Sequence, residues 1–202
     1  SANKSQRKSV KERHMTNLLV NEVFESIQGE GAFTGVPSIF VRLQGCPVGC
    51  PWCDTKHTWE VKPENVRDQD LIMLQKEDTD QYFRADPQTL FALFTSQGYQ
   101  AKHIVLTGGE PCMFDLRPLT EAAIANGYSV QIETSGTFEI LCHSDAWVTL
   151  SPKINMKGGY KVRDDAIHRA NEIKHPVAMQ KHIDELDALL AQSSLRQLPV
   201  IY

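Results

Sequence analysis

Along the chain, short apolar runs end repeatedly on polar or glycine-bearing segments. The run Leu18–Ile27 opens apolar and then alternates through Val23, Phe24, Ser26 and Ile27, which predicts a first strand. Residues 38–43, rich in β-branched and aromatic side chains, predict a second, which delivers a loop dense in Cys, Gly and Pro. Residues 61–85 are charged and irregular and read as a solvated insertion. Regularity returns at Asp86-Pro87, an N-cap followed by a proline in the first helical position. Leu90, Leu93 and Phe94 then share one helix face, and Gly98 closes the helix.

Strands are expected at 103–106, 129–132, Trp147–Leu150, 172–177 and 198–202. Between them lie a helix capped by Asp115 with Leu116, Leu119 and Ala123 inward, a helix near 162–171, and a helix over 181–191. The last carries Ile183, Leu186, Leu189 and Leu190 on one side. Alternating strands and helices predict an α/β fold with a parallel sheet and right-handed crossovers. In such sheets ligands gather beyond the carboxyl ends of the strands. Three polar motifs fall there: Thr107-Gly108-Gly109-Glu110-Pro111, Glu133-Thr134-Ser135-Gly136 and Ser151-Pro152-Lys153.

At 202 residues the length suits one domain with a real core. Residues 1–14 hold five basic side chains and one acidic, with little apolar content, and read as a disordered leader, native or appended. Taking their net +4 from the whole chain's −4 leaves −8, which disfavours a nucleic-acid surface. No apolar run approaches a membrane span and no export signal precedes the first strand. Five cysteines, three of them clustered, then suit a reducing cytoplasm.

The clustered cysteines are Cys46, Cys50 and Cys53, spaced C-x3-C-x2-C in a loop that Gly and Pro keep from becoming helix or strand. Three thiolates are one short of a closed zinc site and one short of a fully ligated iron–sulfur cubane. Either His57 completes a zinc-stabilised binding module, or a cluster keeps one iron open for an outside ligand. The motif alone leaves both open.

Three cysteines at this spacing, with Trp52 just before the third, resemble the signature of the radical S-adenosylmethionine (SAM) enzymes. Asn21 to Gly31, then Phe33 to Pro37, then Arg42 to Cys46 resemble one branch, the 7-carboxy-7-deazaguanine synthases of gammaproteobacterial type. The resemblance runs from about Asn21 to the end of the chain. It implies a partial, open (β/α) barrel of about six parallel strands over 15–202, with 61–85 as a variable insertion. It also implies further SAM contacts after Tyr202, so the C-terminus reads as truncated.

By that resemblance the cofactors are a 4Fe–4S cluster on Cys46, Cys50 and Cys53, SAM on the open iron, and Mg²⁺ on Thr55. SAM would meet Trp52, Cys53, Asp54, Gly109, Ser151, Pro152 and Lys153. The substrate, 6-carboxy-5,6,7,8-tetrahydropterin, would meet Ile27, Gln28, Gly29, Arg42 and Thr107. Glu133 and Ser135, by their place at a strand end alone, are further candidates for the same mouth. An electron from a low-potential donor such as flavodoxin would cleave SAM to a radical. The pterin ring would then contract with loss of ammonia, and kinship implies a homodimer. A radical-SAM activase making a protein glycyl radical shares the cysteines and differs on the pterin side.

Overall fold

The computed structural model describes residues 17–193 and 199–202; the leader at 1–14 and the start of the last expected strand lie outside them. The described residues form one eight-stranded sheet in the order β3-β1-β2-β4-β5-β6-β7-β8. From β2 (Pro37–Leu43) through β4 (His103–Gly108), β5 (Ser129–Thr134), β6 (Trp147–Leu150), β7 (Glu172–Ile173) and β8 (Val200–Ile201), neighbours are parallel. These six are the parallel strands that the alternation predicts, in the number that the resemblance implies for a partial, open (β/α) barrel. β1 (Leu18–Ile27) instead folds back antiparallel on β2, because only a short loop with no crossover helix joins them.

The segment expected to be irregular contains structure that its charge pattern hides. A one-turn helix α1 (Gln69–Met73) buries Ile72, and β3 (Phe83–Ala85) adds to the outer edge of β1. Tyr82 and Phe83 are buried there, so two aromatics anchor a charged stretch to the core.

Helix α2 (Pro87–Ser96) starts as predicted, with Asp86 accepting from the Thr89 amide at 2.8 Å. Helix α3 (Arg117–Ala125) starts later than expected, with Leu116 at the N-cap. Asp115, one residue before that N-cap, still accepts from the Arg117 amide of the first turn and also from the Arg117 guanidinium. Helix α4 (Asp164–Arg169) and β7 are both shorter than the runs that suggested them. β7 stops because Lys174 and His175 turn into loop ahead of Pro176. Helix α5 (Gln180–Gln192) buries Leu186 and Leu190, while Ile183 at its start stays 39% exposed.

The main core packs α2 and α3 on the sheet through Leu90, Leu93, Phe94, Leu116 and Leu119 against Ile39, Ile104, Leu106 and Ile132. A smaller cluster of Leu150, Ile167, Ile173, Leu186 and Leu190 holds the β6–β7 end. Burying a side chain of this size contributes about 1.5–3 kcal/mol, so the strand ends sit on a rigid base. Cys112 is fully buried within this core and Cys142 packs beside it, as expected of isolated cysteines.

Candidate active site

A cleft of about 570 Å³ opens beyond the carboxyl ends of the parallel strands. Arg42 is the penultimate residue of β2, Thr107 lies opposite it on β4, and Glu133 is the penultimate residue of β5, beside Thr149. Ser151 and Lys174 follow β6 and β7 directly, and all five side chains line the cleft. Parallel register therefore assembles in one layer what the sequence scatters over more than a hundred residues.

The cysteine loop forms the far wall. Gly45 and Gly49 adopt positive φ (109° and 72°), conformations that only glycine takes without strain. The Gly45 and Cys46 amides donate to the Thr58 and Trp59 carbonyls, and the Gly158 amide donates to the Val48 carbonyl, clamping the loop from both sides. Trp59 Nε1 donates to Cys53 Sγ at 3.3 Å, and Thr55 Oγ1 lies 3.6 Å from the same sulfur. Cys46, Cys50, Cys53, Trp52, Asp54 and Thr55 all face the cleft.

His57 does not line this cleft; its Nδ1 lies 3.9 Å from Asp78. Among the described residues no group of three His, Cys, Asp or Glu side chains converges on one metal-ion position. The closed zinc knob from three cysteines and His57 is thus not assembled. A cluster takes each thiolate on a different iron and needs no such convergence. Three thiols from one loop, opening on a cleft within the usual range for cofactor sites, fit that second donor set. Burial pushes the Cys46 thiol up to about 12 and raises Cys50 as well, with Lys153 opposing the shift at Cys50. Metal binding supplies the ionisation that the protein alone withholds.

Gly109 has a packing reason of its own. A Cβ there would stand 2.2 Å from the Gly45 carbonyl oxygen, since the Gly109 and Glu110 amides donate to the Leu43 and Gly45 carbonyls. Glu110, beside it, is buried and accepts from the Cys112 amide (2.9 Å), Thr134 Oγ1 (2.6 Å) and the amide and hydroxyl of Ser135. That carboxylate ties the end of β4 to the end of β5. Lys153 is held below its ordinary pKa, chiefly by burial, and donates to Ser151 Oγ at 2.6 Å.

On the opposite wall, Gln28 donates to Gln131 Oε1 (2.9 Å) and Glu133 Oε1 (3.2 Å), and Thr107 Oγ1 donates to Glu133 Oε2 (2.9 Å). Arg42 pairs with Glu22 at 3.0 Å while still lining the cleft, so it is both a paired and a site-facing arginine. Ile27 lines the mouth. Gly29 and Pro152 do not line this cleft; Pro152 faces a neighbouring hollow of about 490 Å³ shared with Trp52 and Lys153. Sequence reasoning passed over Glu110, Lys174 and Glu30. Lys174 bridges to Glu30 and lies 3.9 Å from Glu133, a pairing across 144 residues that no local spacing announces.

No protein-family model matches the chain. It is 55% identical over 172 residues to 7-carboxy-7-deazaguanine synthase of Escherichia coli strain K12, covering 85% of this chain and 77% of that one. The synthase of Buchnera aphidicola from Schizaphis graminum is 41% identical over 183 residues, covering 91% and 82%. The chain belongs to the 7-carboxy-7-deazaguanine synthase family. The crystal structure of QueE from Escherichia coli superposes with a TM-score of 0.89 at 52% identity, over 92% of this chain and 81% of that one. The synthase family is a family of radical-SAM lyases, and the open, mostly parallel sheet is its partial barrel.

Proposed function

We propose that this cleft converts 6-carboxy-5,6,7,8-tetrahydropterin to 7-carboxy-7-deazaguanine and ammonia, a step toward the queuosine precursor. The observation that carries the reading is that the three-cysteine loop and the polar set Gln28, Arg42, Thr107 and Glu133 face each other across one cleft. An activase acting on a protein backbone has no use for that second wall.

Cys46, Cys50 and Cys53 would hold the 4Fe–4S cluster, with Trp52, Asp54, Gly109, Ser151 and Lys153 around SAM. When bound, the reduced cluster and SAM supply the radical that starts the ring contraction. The protein's part is placement. Arg42 offers a cation to the substrate carboxylate, held at the required height by Glu22. Gln28 and Glu133 present acceptors to N–H groups of the pterin, and Thr107 fixes the Glu133 carboxylate. Lys153, buried and held below its ordinary pKa chiefly by that burial, would meet an anionic group of SAM. Thr55 would give Mg²⁺ one hydroxyl ligand, the substrate carboxylate and water completing the shell.

An electron carrier of low potential, such as flavodoxin, a homodimeric state and a cytoplasmic setting complete the proposal. Among the described residues no helix is long and apolar enough to cross a membrane, and no disulfide joins the five cysteines. Anaerobic protein given SAM, dithionite, Mg²⁺ and the carboxypterin is expected to release 7-carboxy-7-deazaguanine. Deoxyadenosine without that product would sink the substrate assignment.

A further inference from the structure

Beneath the cleft lies a chain of buried polar side chains that ends on Gln28, and its members on the neighbouring strands have no part in the reaction as proposed above. Glu172, Thr149, Gln131, His103 and Gln28 are each at most 3% exposed. Thr149 Oγ1 donates to Glu172 Oε1 at 2.6 Å, and the Ala32 amide donates to Glu172 Oε2 at 2.9 Å. Gln131 Nε2 donates to Thr149 Oγ1 at 2.9 Å. Gln131 Oε1 lies 2.9 Å from Gln28 Nε2 and 3.2 Å from His103 Nε2, and His103 Nδ1 lies 2.7 Å from Ser129 Oγ.

The direction of every bond in this chain follows from its far end. A carboxylate only accepts, so the Thr149 hydroxyl hydrogen is committed to Glu172. Thr149 can then only accept from Gln131, which turns the Gln131 amide with its nitrogen toward Thr149 and its oxygen away. That oxygen also only accepts, so His103 carries its proton on Nε2 and Gln28 presents its NH₂ group downward. Both Gln28 N–H bonds are thereby used, on Gln131 and on Glu133. What remains for the cleft is the Gln28 oxygen, which takes one bond from the Glu30 amide at 3.3 Å, beside the Glu133 carboxylate.

We propose that Glu172 and Thr149 are positioning residues that make this wall of the cleft hydrogen-bond-accepting, and so select a substrate edge rich in N–H donors. The proposal rests on the assignment of Gln28 to the substrate wall. It gives the buried Glu172 carboxylate a purpose that packing does not supply, since an apolar residue in its place would leave no charge to bury.

The isosteric change Glu172→Gln tests it. The Ala32 amide keeps the new side-chain oxygen facing it, so the new NH₂ group faces Thr149. Thr149 must then accept there and donate to Gln131, whose amide turns over. Its nitrogen now faces His103 and Gln28, which moves the His103 proton to Nδ1 and sets Gln28 against either Gln131 or Glu133. Two readouts follow. Imidazole ¹⁵N NMR is expected to find His103 as the Nε2–H tautomer in the wild type and in Thr149→Ser, and as Nδ1–H in Glu172→Gln. The KM for the carboxypterin is expected to rise on the order of ten-fold in Glu172→Gln, with kcat changing less and Thr149→Ser near wild type. A merely structural Glu172 would lower the melting temperature without moving tautomer or KM. A wild-type Nδ1–H tautomer, or a Glu172→Gln protein with unchanged tautomer or unchanged KM, overturns the proposal. Expected tautomers in a wild-type protein that never turns over the pterin would uphold the relay and count against the substrate reading.

Discussion

Replacing Gly109 by alanine asks whether the cleft's two walls are built as one unit. The new methyl would lie 2.2 Å from the Gly45 carbonyl oxygen and 2.8 Å from its carbon, both backbone atoms. Carbon–oxygen contacts ordinarily begin at about 3.3 Å, so one backbone must retreat by about 1 Å. Neither is free to do so. Gly45 is pinned by its amide on the Thr58 carbonyl (2.6 Å) and by the Glu110 amide on its own carbonyl (2.7 Å), and Gly109 by its amide on Leu43 (2.8 Å). Overpacking commonly costs about 1–3 kcal/mol, and a clash between two fixed backbones belongs at the upper end. For a chain of this length about 3 kcal/mol lowers the melting temperature by about 6–12 °C. Cys46 follows Gly45 directly, so the displaced loop should also take up less iron. Differential scanning fluorimetry with iron counting after anaerobic reconstitution reads both effects. Gly29→Ala is the comparison: nothing lies within 4 Å of a Cβ there, so stability should stay within about 0.5 kcal/mol of wild type. A Gly109→Ala protein that melts with the wild type and binds full iron would refute the reasoning.

Further outcomes are expected. Cys50→Ala should abolish cluster uptake while Cys142→Ala, whose sulfur packs beside the core away from the cleft, should keep it; iron per chain distinguishes them. Thr55→Ala should raise the Mg²⁺ concentration needed for half-maximal turnover, and unchanged turnover at low Mg²⁺ would remove its assigned role. His103 is held below its ordinary pKa chiefly by burial. The unfolded chain therefore takes up a proton near pH 6.5 that the folded chain resists, so stability is present above that value and declines as pH falls below it. Urea unfolding between about pH 7.5 and 5 should show that decline, less steeply in His103→Gln; identical slopes would count against it.

Much of this was legible because strand ends and chemistry coincide. Thr107, Glu133 and Ser151 each follow an apolar run, and parallel order then forces them into one layer. The cysteine spacing is local, so its loop needed no tertiary information. Antiparallel pairing of β1 was not legible from alternation, since strand direction depends on the connection rather than on the strand. β3 and α1 were hidden because charge dominates 61–85, while a few buried aromatics decide the packing. Lys174, Glu30 and the chain from Glu172 to Gln28 join residues far apart in sequence, and polar pairing inside a barrel leaves no periodic trace. For Gly109 the sequence suggests only a SAM contact, by resemblance; its close approach to Gly45 needed coordinates.

The central claim is that three thiols carry a cluster with one corner left for a cofactor, in a cleft whose other wall takes a pterin. Anaerobic reconstitution followed by metal analysis and single-turnover assay tests it most directly. About four irons per chain, with brown colour and deoxyadenosine release that depends on reduction, is the result the account predicts. One colourless zinc per chain, with no deoxyadenosine under any reductant, would contradict it.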